Sequence, residues 1–208
     1  MGFGFLGQLA GFNFKGFYTG NPVTSGNLPV EGSVWKYNST NGYFEVKQHL
    51  LAAATASATV SNTTTETSII GTVLGSLTLP VDFMIAGTTL RITVRGVYGT
   101  QAVPVGLNIR VKLGTTAIML TGSQTPGGGL TDQLFEVSGL WTCRTAGASG
   151  TVMGQGFFPH NTSATDWVNW AMVTTTTTAI NTTITQVVDV TAQWAAGVAA
   201  ADTITGSV

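Results

Sequence analysis

Leu90, Ile92, Val94, Gly96 and Tyr98 alternate with Arg91, Thr93 and Arg95, and Leu107, Ile109, Val111 and Leu113 alternate in the same manner with Asn108, Arg110 and Lys112. A period of two puts the two sets on opposite faces of an extended strand, because successive β side chains point to opposite sides. One face of each strand is therefore apolar and needs a cover, which a second sheet about 10 Å away provides. Further strand-length segments, bounded by Gly, Pro and Thr/Asn clusters, fall at Ser68–Leu74, Leu134–Cys143, Thr151–Phe158, Trp167–Val173, Thr183–Trp194 and Asp202–Val208, with Thr174–Thr178 as an extended edge or loop. Eight or more such segments without an amphipathic helical period predict an all-β fold, an antiparallel β-sandwich or jelly roll. The strands at 90–98 and 107–113, joined through Pro104, are expected to pair.

The surface that accompanies this core is poor in charge. Charged residues make up 8% of the chain, against roughly a quarter in ordinary soluble domains. Their place is taken by 36 Thr and 27 Gly. Threonine is β-branched and suits the outer side of a pleated sheet. A surface of Thr, Ser, Asn and Gly carries little charge repulsion, so it associates readily, and the composition predicts a subunit of an assembly. The net charge of −1 argues against a purely electrostatic grip on nucleic acid or on an anionic membrane. No run of about 18 apolar residues predicts a transmembrane helix. Cys143 is the single cysteine, which excludes an intrachain disulfide and a multi-cysteine metal site. It shares a strand face with Gly139 and Trp141 and reads as a small apolar filler.

The chain is expected to divide near residue 49, into an arm and hairpin at 1–49 and a sandwich domain at 50–208. Residues 1–32 are rich in Gly and aromatics and hold neither a helical nor a strand period. Phe3, Phe5, Phe12, Phe14 and Phe17 form an apolar set that needs another surface to cover it. Such a set suits an arm that docks on a neighbouring subunit better than a disordered leader. The first residues lack the basic and continuous apolar regions of a secretory signal, and Leu6 stands where myristoylation requires Ser or Thr. Val34–Tyr37 and Tyr43–Val46 flank an Asn/Gly turn and predict a short hairpin.

Reagents for catalysis are scarce, and no enzyme activity, cofactor or metal is expected. His49 and His160 lack metal-ligand spacing, and each adjoins a strand or loop boundary where a solvated imidazole is the expectation. The nine acids are spread widely. TPGGGL at 125–130 has no following Lys-Ser/Thr and reads as a flexible loop, not a phosphate loop. Asn38, Asn62, Asn161 and Asn181 match the glycosylation pattern by virtue of the abundant Thr. Half of the positive charge, Arg91, Arg95, Arg110 and Lys112, is expected on the outward faces of two adjacent strands. That cluster is a solvated face with cross-strand partners, a docking patch for an acidic surface, or, more weakly supported, a nucleic-acid contact. Trp141 and Trp194 alternate with apolar neighbours and predict core positions, whereas Trp167 and Trp170 suit core, a subunit interface or a ligand surface.

Seven strings in order, TTTETSIIG (63–71), GSLTLP (75–80), GTTLRITVRG (87–96), LNIRVKLGTT (107–116), WTCRT (141–145), GTVMGQG (150–156) and VVDVTAQW (187–194), resemble a jelly-roll domain recurrent in structural proteins of tailed bacteriophages. The resemblance covers roughly residues 50–208. It implies a homotrimeric virion-surface module, placed as a capsid decoration or cement protein in contact with the major capsid protein or neighbouring virion subunits. The alternative it implies is a receptor-binding or structural knob of a head or tail fibre, and a glycan-degrading spike forms a third class. The pattern would run several residues past TITGSV, so completion of the last strand is left between a longer chain and a neighbour.

Overall fold

A computed structural model describes the strands Val34–Asn38 and Tyr43–Gln48 and residues 52–207 other than 164 and 175. The five phenylalanines of the expected arm, and His49, lie outside the described residues. The chain separates into two units, residues 1–51 and 52–208. In the first, β1 (Val34–Asn38) and β2 (Tyr43–Gln48) pair antiparallel, with Asn38 opposite Tyr43 and Trp35 opposite Val46.

The second unit contains β3 (Ala52–Ala54), β4 (Ala58–Ser61), β5 (Thr67–Ser68), β6 (Val73–Gly75), β7 (Thr78–Leu79), β8 (Thr89–Gly99) and β9 (Leu107–Leu113). It continues with β10 (Thr116–Leu120), β11 (Gln133–Thr145), β12 (Thr151–Asn161), β13 (Trp167–Val173), β14 (Thr178–Ala179), β15 (Gln186–Trp194) and β16 (Thr203–Ser207). No helix occurs among the described residues. A larger sheet has the order β13-β12-β11-β8-β16-β4, with β14 also on β12, and a smaller one has β10-β9-β15-β5, with β7 also on β15. β3 and β6 form a separate ribbon. Every pairing is antiparallel.

The two sheets pack as a sandwich, each burying its apolar face. From the smaller sheet come Leu107, Ile109, Val111, Leu113, Val190, Ala192 and Trp194, and from the larger Tyr98, Phe135, Val137, Trp141, Cys143, Val152, Phe158 and Ile204. Trp141, Trp194 and Cys143 thus lie in the interior, as their alternation predicts. Two adjacent residues of β10, Ile118 and Met119, are both buried because the register shifts between Ala117 and Met119, a bulge that turns an extra side chain inward. Threonine occupies the outer faces, where hydroxyls meet across strands at Thr59–Thr205, Thr89–Thr142 and Thr145–Thr151 at 2.8–2.9 Å.

The expected pairing of 90–98 with 107–113 is corrected. β8 lies between β11 and β16 in the larger sheet, whereas β9 lies between β10 and β15 in the smaller. Side by side, the two strands would still present one common uncovered apolar face. With the 100–106 connection passing between the sheets, each strand's sheet covers the apolar side of the other. That crossing is pinned at both ends. Gln101 N donates to the buried Asp202 carboxylate at 3.0 Å, and Leu107 N donates to Gln124 O at 2.7 Å. Asp202 also accepts from Ala199 N at 2.8 Å, which balances the cost of a buried carboxylate. The expected strand Ser68–Leu74 divides in two. Ser68 pairs with Thr191 in the smaller sheet, and Val73 pairs with Ala54 in the ribbon.

The 125–130 segment is a loop, and it is bound at three points. Thr100 Oγ1 donates to Gly127 O at 2.7 Å and accepts from Leu130 N at 3.1 Å, and Gly129 N donates to Gln101 O at 2.8 Å.

Candidate functional surface

The outward positions of β8, β11 and β12 come into one field through their registers. Arg91 stands opposite Leu140, which stands opposite Gln155, and Ser138 stands opposite Phe157. Thr142 faces Met153. These residues line an open concavity of about 560 Å³, together with Arg144. Leu140, Met153 and Phe157 are 51%, 46% and 45% exposed, unusual values for large apolar side chains sharing one face. They are outward because the opposite positions of the same strands, Trp141, Cys143, Val152 and Phe158, take the core. Gly154 and Gly156 complete the inward set of β12 and give sequence alternation no apolar side chain to register.

Positive charge on this face outnumbers negative among the described residues. β8, β11, β12 and β13 together carry Arg91, Arg95 and Arg144 and one acid, Glu136. Arg95 Nε donates to Glu136 Oε2 at 2.8 Å, a surface pair of the kind that contributes about 0–1 kcal/mol. Arg91 and Arg144 are exposed and have no ion-pair partner among the described residues. Of the four expected basic residues, Arg91 and Arg95 lie on this sheet. Arg110 and Lys112 lie on the outer face of the other one, so the expected single cluster is corrected to two separate surfaces. Period two tells which face of a strand a residue occupies and is silent on which sheet the strand joins.

Arg110 and Lys112 are engaged by an acid outside any long strand. Lys112 Nζ donates to Glu66 Oε1 at 2.9 Å, Thr191 Oγ1 donates to the same oxygen at 2.7 Å, and Arg110 Nη1 lies 3.2 Å from Glu66 Oε2. Burial alone would raise the Glu66 carboxyl. The hydrogen bonds from Lys112 and Thr191 and the charges of Arg110 and Lys112 outweigh burial, and the carboxyl sits below its ordinary value. Its stabilisation is therefore full above the ordinary carboxyl range and is lost as pH falls through the lowered value. Glu66→Gln is expected to cost about 1 kcal/mol at neutral pH. In urea unfolding, the gap between wild type and variant should close in acid. A gap that persists once the carboxyl is protonated would assign the loss to packing.

His160 is corrected from a solvated residue to a fully buried one. It follows Phe158 on the inward face of β12 and packs in an aromatic box, with ring centroids 5.7 Å from Tyr98, 5.1 Å from Phe158 and 4.2 Å from Trp170. Nδ1 lies 3.1 Å from Phe158 O. A carbonyl only accepts, so the proton is on Nδ1, and Nε2 is left as a buried acceptor without a partner. Desolvation pushes the imidazole below its ordinary value, against the smaller opposing effect of the Phe158 carbonyl. The folded state thus binds fewer protons than the unfolded one. Stability should be full above the ordinary histidine value and fall as pH drops toward the depressed one. Thermal melts of wild type should lose midpoint between pH 7 and pH 5, while His160→Phe should hold nearly constant over about that interval. Parallel pH curves for the two proteins would refute the assignment to His160.

Trp170 is half-buried and stacks on Phe158 at 5.4 Å, whereas Trp167 is 56% exposed at the start of the sheet-edge strand β13. The residues of this candidate surface that sequence reasoning missed are Arg144, Leu140, Met153 and Phe157. Their outward alternation was readable on each strand singly, but their assembly into one field depends on the β11–β12 register. Among the described residues no three of His, Cys, Asp and Glu converge as a metal-binding group. Comparison of the chain with protein-family models, curated proteins and solved structures finds no match.

Proposed function

We propose that this chain is a structural protein of a tailed-bacteriophage virion, a homotrimeric decoration or cement subunit that binds the capsid exterior without catalysing a reaction. The observation that carries the reading is the Arg91–Arg144 face. Arginine, methionine and phenylalanine are the residue types enriched where proteins meet, and a concave apolar field flanked by free guanidinium groups suits a partner better than water. The sheet-edge strand β13, WVNWAMV, supports association as well, because it carries neither charge nor proline to discourage pairing. A closed trimer would hide such an edge.

Strand order supports the jelly-roll form of the sandwich. β4, β16, β8 and β11 are neighbours in one sheet, and β5, β15, β9 and β10 in the other. Taken in chain order, these eight strands pass between the sheets as two interlocked Greek keys, with β12–β13 as an added hairpin that widens the larger sheet. This architecture serves viral capsid and lectin domains alike, so the surface, not the fold, bears the functional argument. Residues 1–49 are proposed as the attachment arm, with Phe3, Phe5, Phe12, Phe14 and Phe17 as its contacts.

Copy number in purified particles tests the reading. Hundreds per virion are expected, whereas a few or a few dozen would make the chain a fibre component. Sedimentation at micromolar concentration should give a trimer, and a monomer alone would count against the assembly. Deleting residues 1–17 should leave that trimer intact and strongly reduce its retention on particles. Undiminished retention under dilution and heating would remove the arm from the proposal.

A further inference from the structure

The Arg91–Arg144 concavity has a spacing as well as a charge. Arg91 stands opposite Leu140, and Arg144 lies four residues further along β11 on the same face. Four residues of strand advance about 13 Å. Between the two levels lies Met153, opposite Thr142, while Leu140 is level with Arg91, and Phe157, opposite Ser138, lies one outward position beyond it. Among the described residues neither arginine has an acid to satisfy it, since Glu136, the one carboxylate on these strands, is already bound by Arg95.

We propose that this face docks an extended segment of a partner protein that carries carboxylates at positions i and i+4 and a large apolar side chain at i+2. The proposal rests on the reading of this face as an attachment surface and names the chemistry of what it attaches to. Period two in an extended chain puts i, i+2 and i+4 on one side. Their advance matches that from Arg91 to Arg144. The two carboxylates then take the guanidinium groups, which bind carboxylates with paired donors. The central apolar side chain enters the concavity at the level of Thr142 and covers Met153 beside Leu140. A charge-only ligand leaves that apolar ground wet, and an uncharged apolar segment leaves both arginines unpaired. The combination favours an acidic protein segment over a polyanionic sugar or nucleic acid.

The test uses the full chain and a panel of labelled dodecapeptides with Glu at i and i+4, Leu, Met or Phe at i+2, and Ser, Thr and Gly elsewhere. Fluorescence anisotropy at low ionic strength should show saturable binding, weakened at least about tenfold when both Glu are replaced by Gln. The double variant Arg91→Ala/Arg144→Ala should weaken binding by a similar factor, and Met153→Ser should weaken it by about the same order. All three side chains are exposed, so unchanged circular dichroism is expected and shows the fold to be intact. Absence of saturable binding by every peptide at millimolar concentration overturns the proposal, as does equal binding of Glu and Gln peptides. Heparin binding that depends on the arginines, is indifferent to Met153→Ser and is not displaced by the peptides would assign the face to a polyanion instead. Loss of the trimer in Arg91→Ala/Arg144→Ala would make it a contact between copies and would likewise overturn the proposal. Virion copy number is independent of all these outcomes, so this proposal and the decoration reading fail separately.

Discussion

Gly96→Val is expected to abolish the cooperative unfolding transition of the sandwich, leaving a chain that is unfolded or aggregated under conditions where wild type is native. Gly96 of β8 and Gly206 of β16 are register partners. A Cβ at 96 would meet the backbone oxygen of Thr205 and, at 2.9 Å, the ring of Phe135. A Cβ at 206 would meet the backbone oxygen of Ile69. A flexible side chain can swing aside, but a carbonyl held within β16 moves only with its strand. That strand joins β8 to β4, so displacement parts both β16 and the edge strand β4 from the larger sheet. Overpacking of this kind costs about 3 kcal/mol or more, a large share of the 5–15 kcal/mol that typically holds a domain folded. Gly87→Ala is the control. Its Cβ meets nothing within 4 Å, and its φ of +90° charges only the conformational penalty. Urea unfolding followed by circular dichroism should show a shifted but intact transition for Gly87→Ala. A Gly96→Val protein with a transition near that of wild type would mean that β8 and β16 do not approach as closely as described.

Alternation carried much of this fold because it reports local facts. Leu107, Ile109, Val111 and Leu113 are buried on one side of β9, as their spacing requires, and Trp167–Val173 forms a strand with the expected bounds. The same signal failed where the deciding fact was distant in sequence. Arg91 and Arg110 share a pattern but face solvent from different sheets, because the 100–106 connection crosses the sandwich instead of turning back as a hairpin. His160 was misread because Gly154 and Gly156 occupy the inward positions before Phe158, and glycine gives a hydrophobicity pattern nothing to count. Glu66 is invisible as a partner of Arg110 and Lys112, since it lies in irregular chain just ahead of the two-residue strand β5. The candidate surface was half legible. Arg91 was singled out, whereas Arg144, Leu140, Met153 and Phe157 join it only once β11 is set in register against β8 and β12.

Those same glycines make a second large effect. Met119, which the β10 bulge turns inward, is fully buried and fills a hollow floored by Gly139, Gly154 and Gly156 of the facing sheet. Met119→Ala is expected to cost about 2–5 kcal/mol, because the glycines have no side chains to collapse into the space. Gly139→Ala approaches the same contact from the other side. Its Cβ would meet Met119 Cε at 2.7 Å and Sδ at 2.8 Å. Methionine is ordinarily able to yield, but the backbone of Gly156 lies near its sulfur and that of Gly154 near Cγ, which narrows the room for it to move. We expect about 1–3 kcal/mol for Gly139→Ala alone. In the double variant the added methyl enters the hollow that the methionine vacates. The combined cost should fall short of the sum by about 1 kcal/mol or more. Gly154→Ala should show no such rescue, because its Cβ also meets the backbone oxygen of Ile118 at 2.6 Å, which stays in place when Met119 is shortened. Urea midpoints for the single and double variants decide the matter. Additivity of Met119→Ala and Gly139→Ala within about 0.5 kcal/mol would show that the two sites do not share the hollow.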